Sequence, residues 1–190
     1  MRIHVIASIV LLVLLVLLMN LSNRQQTGQD NGIPAVQAYD YVMRVLDYTR
    51  YDNAGVASYR MQAARLTHYG DGDLNAIETP RFEIYQDERT AWTISASTGI
   101  TKEDPESGSQ RVDLSDDVVI LGTDAQGREV EIYTDSLSVY PDSRTLDTSA
   151  SVRIVGEDSV VTGTGMTADL NTSRISLLAN VRGQYVNQGN

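Results

Sequence analysis

The chain contains no cysteine, which removes disulfide scaffolds, thiol nucleophiles and thiolate-ligated zinc while leaving the compartment open. Histidine is nearly as scarce. His4 and His68 are the only two, so most metal sites and acid–base constellations lack their commonest member. Lys102 is the single lysine, and fifteen basic residues stand against twenty-five acidic ones for a net charge of −10. Nucleic acids are held mainly by Lys and Arg on phosphates, so a chain this acidic, with no basic cluster, does not read as a DNA or RNA binder. Bulky aromatics other than tyrosine are reduced to Phe82 and Trp92, whereas tyrosine occurs ten times.

One long apolar run is present. Val5 to Met19 is unbroken aliphatic or small sequence, and Ile3 and Leu21 extend it around His4 and Asn20. Fifteen to nineteen residues fall at the short end of the roughly 17–25 that a membrane helix needs, and also fit the apolar region of a signal peptide. A cleaved signal wants small residues at −3 and −1, and Asn20-Leu21-Ser22-Asn23-Arg24 offers no such pair. The reading is therefore an uncleaved transmembrane anchor over 1–24. Arg2 and the α-amino group precede the run and Arg24 follows it, a slight lean to a cytoplasmic N-terminus and an extracytoplasmic body. Gln25 to Gly32 is polar, carries two glycines and shows no period, so 25–38 reads as a flexible linker, with Pro34 at the entry to ordered chain.

From 39 to 190 the pattern predicts one β domain. Ile175-Ser-Leu177-Leu-Ala179-Asn-Val181-Arg-Gly183-Gln-Tyr185 alternates apolar or small residues with mostly polar ones, Leu178 excepted. Side chains alternate faces along a strand, so this is a strand of about 35 Å with one apolar and one polar face. Similar strands are predicted near Arg44–Arg50, Val56–Tyr69, Leu74–Ile77, Arg81–Gln86, Ala91–Ser97, Arg111–Leu121, Glu129–Tyr140, Thr145–Val155, Val160–Leu170 and Arg174–Val186. Turn residues separate them at Asp52–Gly55, Gly70–Asp73, Asp104–Gly108, Asp124–Gly127 and Pro141–Ser143. Val36 to Leu46 is the one helical candidate, and it is short and tyrosine-rich; strand is preferred there. Val118-Val-Ile120, Val152-Arg-Ile154 and Val181-Arg-Gly183 recur at spacings of 34 and 29, and Phe82-Glu-Ile84 lies 36 residues before the first. A period near 30 means one hairpin per unit, stacked into a long open sheet whose first and last strands are edges.

Catalytic machinery is not legible. His68, in Leu66-Thr-His68-Tyr69, has no accompanying nucleophile signature and reads as a strand histidine. Asp71-Gly-Asp73-Leu-Asn75 begins like a calcium loop, but Ala76 replaces the sixth-position Gly and Phe82 the twelfth-position Glu. Gly163-Thr-Gly165-Met-Thr-Ala168 matches a dinucleotide pattern, which requires a following helix; Met166 to Leu170 alternates as a strand instead. Lys102 follows no phosphate-loop glycine pattern, and spacing alone picks no glycosidase pair from the acidic residues. The expectation is a protein that is not an enzyme and holds no metal or cofactor.

Several blocks of sequence carry a resemblance. Pro80-Arg-Phe82, Trp92-Thr-Ile94-Ser-Ala96, Leu114-Ser-Asp-Asp-Val118-Val-Ile120, Thr134-Asp-Ser-Leu137-Ser-Val139-Tyr-Pro141, Gly163 to Leu170 and Leu177 to Tyr185 resemble, in order and spacing, the LptC family of lipopolysaccharide export proteins. The match covers about residues 40 to 186 and is most specific in the C-terminal block. It implies an all-β body, an open twisted antiparallel β-jellyroll behind a single N-terminal transmembrane helix in the inner membrane of a Gram-negative cell. It further implies a periplasmic groove that receives the acyl chains of lipopolysaccharide from an ATP-driven ABC transporter complex and passes the lipid to a soluble bridge protein of similar fold. Domains in that family join edge to edge by strand pairing.

Alternation assigns the groove-facing side chains: Phe82, Ile84, Trp92 and Ile94 early in the body, then Val118, Ile120, Leu137, Val139, Val152 and Ile154 in its middle. Met166, Leu170, Ile175, Leu177, Val181 and Tyr185 complete the set. Each is equally compatible with an ordinary sandwich core. Val181, Gly183, Tyr185 and Val186 mark the last strand's edge as the docking site for the bridge protein. The alternative is a membrane-anchored β scaffold that binds envelope proteins and no lipid; co-purifying lipid separates the two. A hydrolase would require an activity that depends on His68.

Overall fold

Alternating apolar residues need an opposite layer, and in this chain the early strands supply it to one another while the late ones do not. The structure, a computed structural model, describes residues 39–70, 74–86, 89–103, 110–123 and 126–185. The expected anchor, the linker, Val186 and the turn residues 71–73, 104–108 and 124–125 lie outside them. The described chain is eleven strands, all antiparallel to their neighbours: β1 (Tyr41–Tyr51), β2 (Ala57–Tyr69), β3 (Leu74–Glu78), β4 (Arg81–Gln86), β5 (Arg89–Ser95), β6 (Thr98–Glu103), β7 (Gln110–Thr123), β8 (Glu129–Tyr140), β9 (Thr145–Gly156), β10 (Ser159–Asp169) and β11 (Arg174–Tyr185).

Two long strands organise the rest. One edge of β2 carries β1; the other is shared, Arg65–Tyr69 pairing with β3 and Tyr59–Gln62 with β4. β7 mirrors it, with β8 along one edge and β6 and β5 dividing the other. Since β3 pairs with β6 and β4 with β5, two arms bridge β2 to β7 and close a ring. The arms part where the chain bends. Thr79 and the pair Asp116–Asp117 take positive φ, and Thr79 N–H donates to Ser97 O (2.9 Å) while Ser97 N–H donates to Asp116 O (2.8 Å). Bulges of this kind bend a strand and let its two halves join different layers.

Beyond the ring, β8 to β11 form a meander that ends at a free edge. β1 pairs only with β2 and β11 only with β10 among the described residues, so the first and last described strands are the edges. The jellyroll is thus closed in its first half and open in its second. The 30-residue repeat falls on alternate strands: Val118–Ile120 on β7, Val152–Ile154 on β9, Val181–Gly183 on β11, with Phe82–Ile84 on β4.

Strand β6 corrects the sequence reading, which ended a strand at Ser97 and assigned none to the next six residues. Thr98-Gly-Ile100-Thr-Lys102-Glu103 is short, carries Gly99 and two adjacent charges, and follows β5 with no glycine or proline between them. Its pairing partners β3 and β7 make it a strand. Val36–Leu46 is strand from Tyr41 onward, as preferred.

Candidate functional site

Exposure grows strand by strand along one face of the open half. Ile120 pairs with Ile132, Ile132 with Ile154, Ile154 with Val161, and Val161 with Gly183. The first two are 0 % exposed, the next two half-buried, and the last open to solvent. A second row repeats the trend, from Leu146 and Ala168, both buried, to half-buried Ile175. The reason is topological: the arms that cover this face reach only to β7, and β9 to β11 lie past them.

That uncovered face is a cleft of about 710 Å³. Val130, Ile154, Val161, Ile175, Leu177, Val181 and Tyr185 give it an apolar lining, and Arg128, Glu129, Glu157 and Asp158 stand around it with Gly156 and Ser159. Ile154, Ile175 and Leu177 also pack against the main core, so cleft and interior are continuous. At the outer end Val181 is 56 % and Tyr185 83 % exposed, so the apolar lining runs out into solvent.

Five of the sixteen groove residues expected from alternation therefore meet in this cleft: Ile154, Ile175, Leu177, Val181 and Tyr185. The other eleven (Phe82, Ile84, Trp92, Ile94, Val118, Ile120, Leu137, Val139, Val152, Met166 and Leu170) fill the closed interior behind it. Val181, Gly183 and Tyr185 lie on the free-edge strand β11; Val186 lies outside the described residues. Val130 and Val161 belong to the cleft but were not assigned. Val130 is two residues from Ile132 and could have been reached by continuing the alternation. Val161 sits in the doublet Val160-Val161, which leaves the face undetermined until a partner strand fixes it.

A second apolar cleft, about 370 Å³, opens at the opposite edge, where Tyr41, Met43, Leu46 and Tyr48 of β1 face Tyr59, Met61 and Phe82. None of its residues except Phe82 was expected. The rings of Tyr48 and Tyr59 lie 6.2 Å apart, and burial, with the neighbouring Tyr48 next, pushes the Tyr59 phenol up to about 12. On the far face of this hairpin Arg60 clamps Asp47, Nε to Oδ1 at 2.6 Å and Nη2 to Oδ2, with Gln62 Nε2 adding 3.3 Å. The Arg60 hydrogen bond holds the Asp47 carboxyl below the usual aspartate value. His68 is tied into the sheet, its ring stacked on Tyr41 at 4.6 Å and Nδ1 3.0 Å from Asn75 Oδ1. Among the described residues no three His, Asp or Glu side chains are grouped to hold a metal ion. What the main cleft offers is non-directional apolar contact, suited to hydrocarbon.

These features define a class: an all-antiparallel β-jellyroll, here with an apolar cleft left open beside the last described strand. A solved structure of similar fold is LptH, the LptA-homologous periplasmic component of the lipopolysaccharide transport device of Pseudomonas aeruginosa. It is similar to this chain at TM-score 0.50 and 11 % identity, over 66 % of this chain and 93 % of that one. No curated protein matches. The family described as lipopolysaccharide-assembly, LptC-related, matches residues 7–186, and the chain belongs to that family. Its role is accordingly in lipopolysaccharide transport.

Proposed function

We propose that this chain is an inner-membrane-anchored carrier, held by its N-terminal apolar run with the jellyroll in the periplasm. It takes lipopolysaccharide acyl chains from an ATP-driven ABC transporter complex into the cleft and passes them to a soluble bridge protein of similar fold. The observation that carries this reading is the exposure gradient from Ile120 and Ile132 to Val181 and Tyr185, a continuous apolar path from the interior to an open edge. Each methylene placed on that path contributes about 0.8 kcal/mol, so several suffice to hold a chain without a charged contact. Apolar contact has no preferred register, so the lipid can slide. The rim sets Glu129, Glu157 and Asp158 against the single Arg128, and its net negative charge disfavours phosphates in the apolar lining. No step makes or breaks a covalent bond, and the carrier acts without being an enzyme.

The free edge of β11 supplies the handover. Its backbone groups, unpaired among the described residues, can accept a strand of the bridge protein, extending the sheet and the apolar face together. The test is photo-crosslinking in cells from Ile175 and Tyr185, scored for lipopolysaccharide and for protein, with Ser176 on the polar face as control. Ile175 should capture lipid, and Tyr185 both lipid and the bridge protein. Lipid captured at Ser176 but not at Ile175 would sink the face assignment.

A further inference from the structure

The open half has a second cleft, on the opposite and polar face, of about 740 Å³. Its position follows from the crease in the sheet. Asp116 and Asp117 on β7, Gly165 on β10 and Asn180 on β11 all take positive φ, and the strand register shifts beside each of them. Aligned bulges bend neighbouring strands together and hollow out one face.

One cross-strand row on this face runs Val119, Tyr133, Arg153, Thr162, Arg182. Neighbouring strands are about 4.8 Å apart, so Arg153 and Arg182 flank Thr162 with their backbones about 10 Å from each other. Both arginines are exposed, and neither has a carboxylate partner among the described residues, whereas Arg50, Arg60, Arg65, Arg81 and Arg111 all do. Arg153 lies instead over the Tyr133 ring, 5.8 Å from its centroid, which steadies the guanidinium without neutralising it. In a chain of net charge −10, two free guanidinium groups in one cleft form a local anion site.

At the crease itself the chemistry changes. Ser151, Thr164, Asn180, Asp117 and Asp135 join the lining there. Asn180 Nδ2 donates to Thr164 Oγ1 at 3.3 Å, Asp117 Oδ2 accepts from Ser97 Oγ at 3.3 Å, and Asp135 has no hydrogen-bond partner among the described residues. A bare anion on the arginines shares the cleft with these two carboxylates. A molecule with hydroxyls offers Asp135 and Asp117 donors in place of water.

We infer that this outer cleft binds an anionic saccharide, its phosphate or carboxylate on Arg153 and Arg182 and its hydroxyls on Asp135, Asp117 and the Ser/Thr/Asn set. The source is either the headgroup of a glycolipid or a free sugar phosphate. The site is separate from the apolar cleft, and acyl capture at Ile175 reports on that cleft alone, so either assignment can fail without the other.

The experiment is ligand-observed NMR on the full chain in phosphatidylcholine nanodiscs, with glucose 1-phosphate, glucose, inorganic phosphate and deacylated lipopolysaccharide saccharide as probes. Glucose 1-phosphate should bind at least about tenfold tighter than either glucose or phosphate, because only it satisfies both sides. Arg153→Gln and Arg182→Gln should each weaken it about tenfold, the worth of one charge-assisted contact. Asp135→Asn should weaken glucose 1-phosphate and leave phosphate unchanged or improved. Binding of the deacylated saccharide alone supports the site with glycolipid as its source. Equal binding of phosphate and glucose 1-phosphate overturns it, as does an R153Q/R182Q double variant that binds like the parent with an unchanged thermal melt.

Discussion

The indole of Trp92 lies flat against the backbone of Gly122, so closely that a Cβ added to Gly122 would sit 2.1 Å from Trp92 Cε3. The two residues stand on β5 and β7, one position beyond the Thr93–Leu121 pair, at the end of the arm that closes the ring. Trp92 is 1 % exposed and is the chain's only tryptophan, so this contact both seals the interior and reports on it. Gly122→Ala should cost about 1–3 kcal/mol by forcing the ring aside. Urea unfolding followed by tryptophan fluorescence measures it. A variant as stable as the parent would mean that the ring moves freely.

Open and closed parts of the apolar face should respond differently to charge. Leu177→Asp at the half-buried lining should abolish lipid capture in the crosslinking assay while leaving the thermal melt within a few degrees. Ile132→Asp, in the closed interior at 0 % exposure, should prevent folding, since burying an unpaired carboxylate costs several kcal/mol. Equal damage to folding from both would show that the cleft lining is core.

Asn180 takes φ 54°, a left-handed conformation that asparagine tolerates and β-branched residues do not. Asn180→Gly should be near neutral in denaturant titration, and Asn180→Val should lose about 1–2 kcal/mol. Both are read on the full chain. Two equal outcomes would remove strain as the reason for the bulge.

Two groups on the β1–β2 hairpin give opposite pH limits. Tyr59 has its folded value raised to about 12, so the stability it contributes is complete below pH 10 and is lost as pH rises from 10 towards 12. Asp47 is lowered from 3.8, first by its hydrogen bond to Arg60, so its contribution is complete above that value and is lost as pH falls below it. Stability measured by chemical denaturation should be flat between these limits on account of these two groups. Tyr59→Phe should reduce the alkaline decline, in which Tyr85, Tyr133 and Tyr140 share, and Asp47→Asn should reduce the acid one. Unchanged pH profiles in both variants would disprove the assignment.

The strands were readable residue by residue because the two-residue period is local, and ten of the eleven were placed from it. β6 was not, since Thr98–Glu103 is short, interrupted by Gly99 and charged at Lys102 and Glu103, and is held by β3 and β7 from outside its own sequence. The cleft at β1 was unreadable for a related reason: Tyr41, Met43, Leu46 and Tyr48 do not keep one parity, because the chain turns through φ 56° at Val45 while its register with β2 stays unbroken. The crease that makes the outer cleft was likewise hidden, since positive φ at Asp116, Asp117 and Asn180 has no compositional signal as strong as glycine's.

By itself the sequence determined ten of the eleven strands, the polar and apolar faces of β11, its edge position and the family. Those depend on alternation, composition and local blocks such as Leu177 to Tyr185. The tertiary structure decided which apolar side chains are covered. Ile94 and Ile175 carry the same alternating signature, yet one is shut inside the ring of β2 to β7 and the other faces an open cleft. That difference comes from which distant strands pair, because coverage is supplied by an opposite layer and no residue's own neighbours in sequence can provide it.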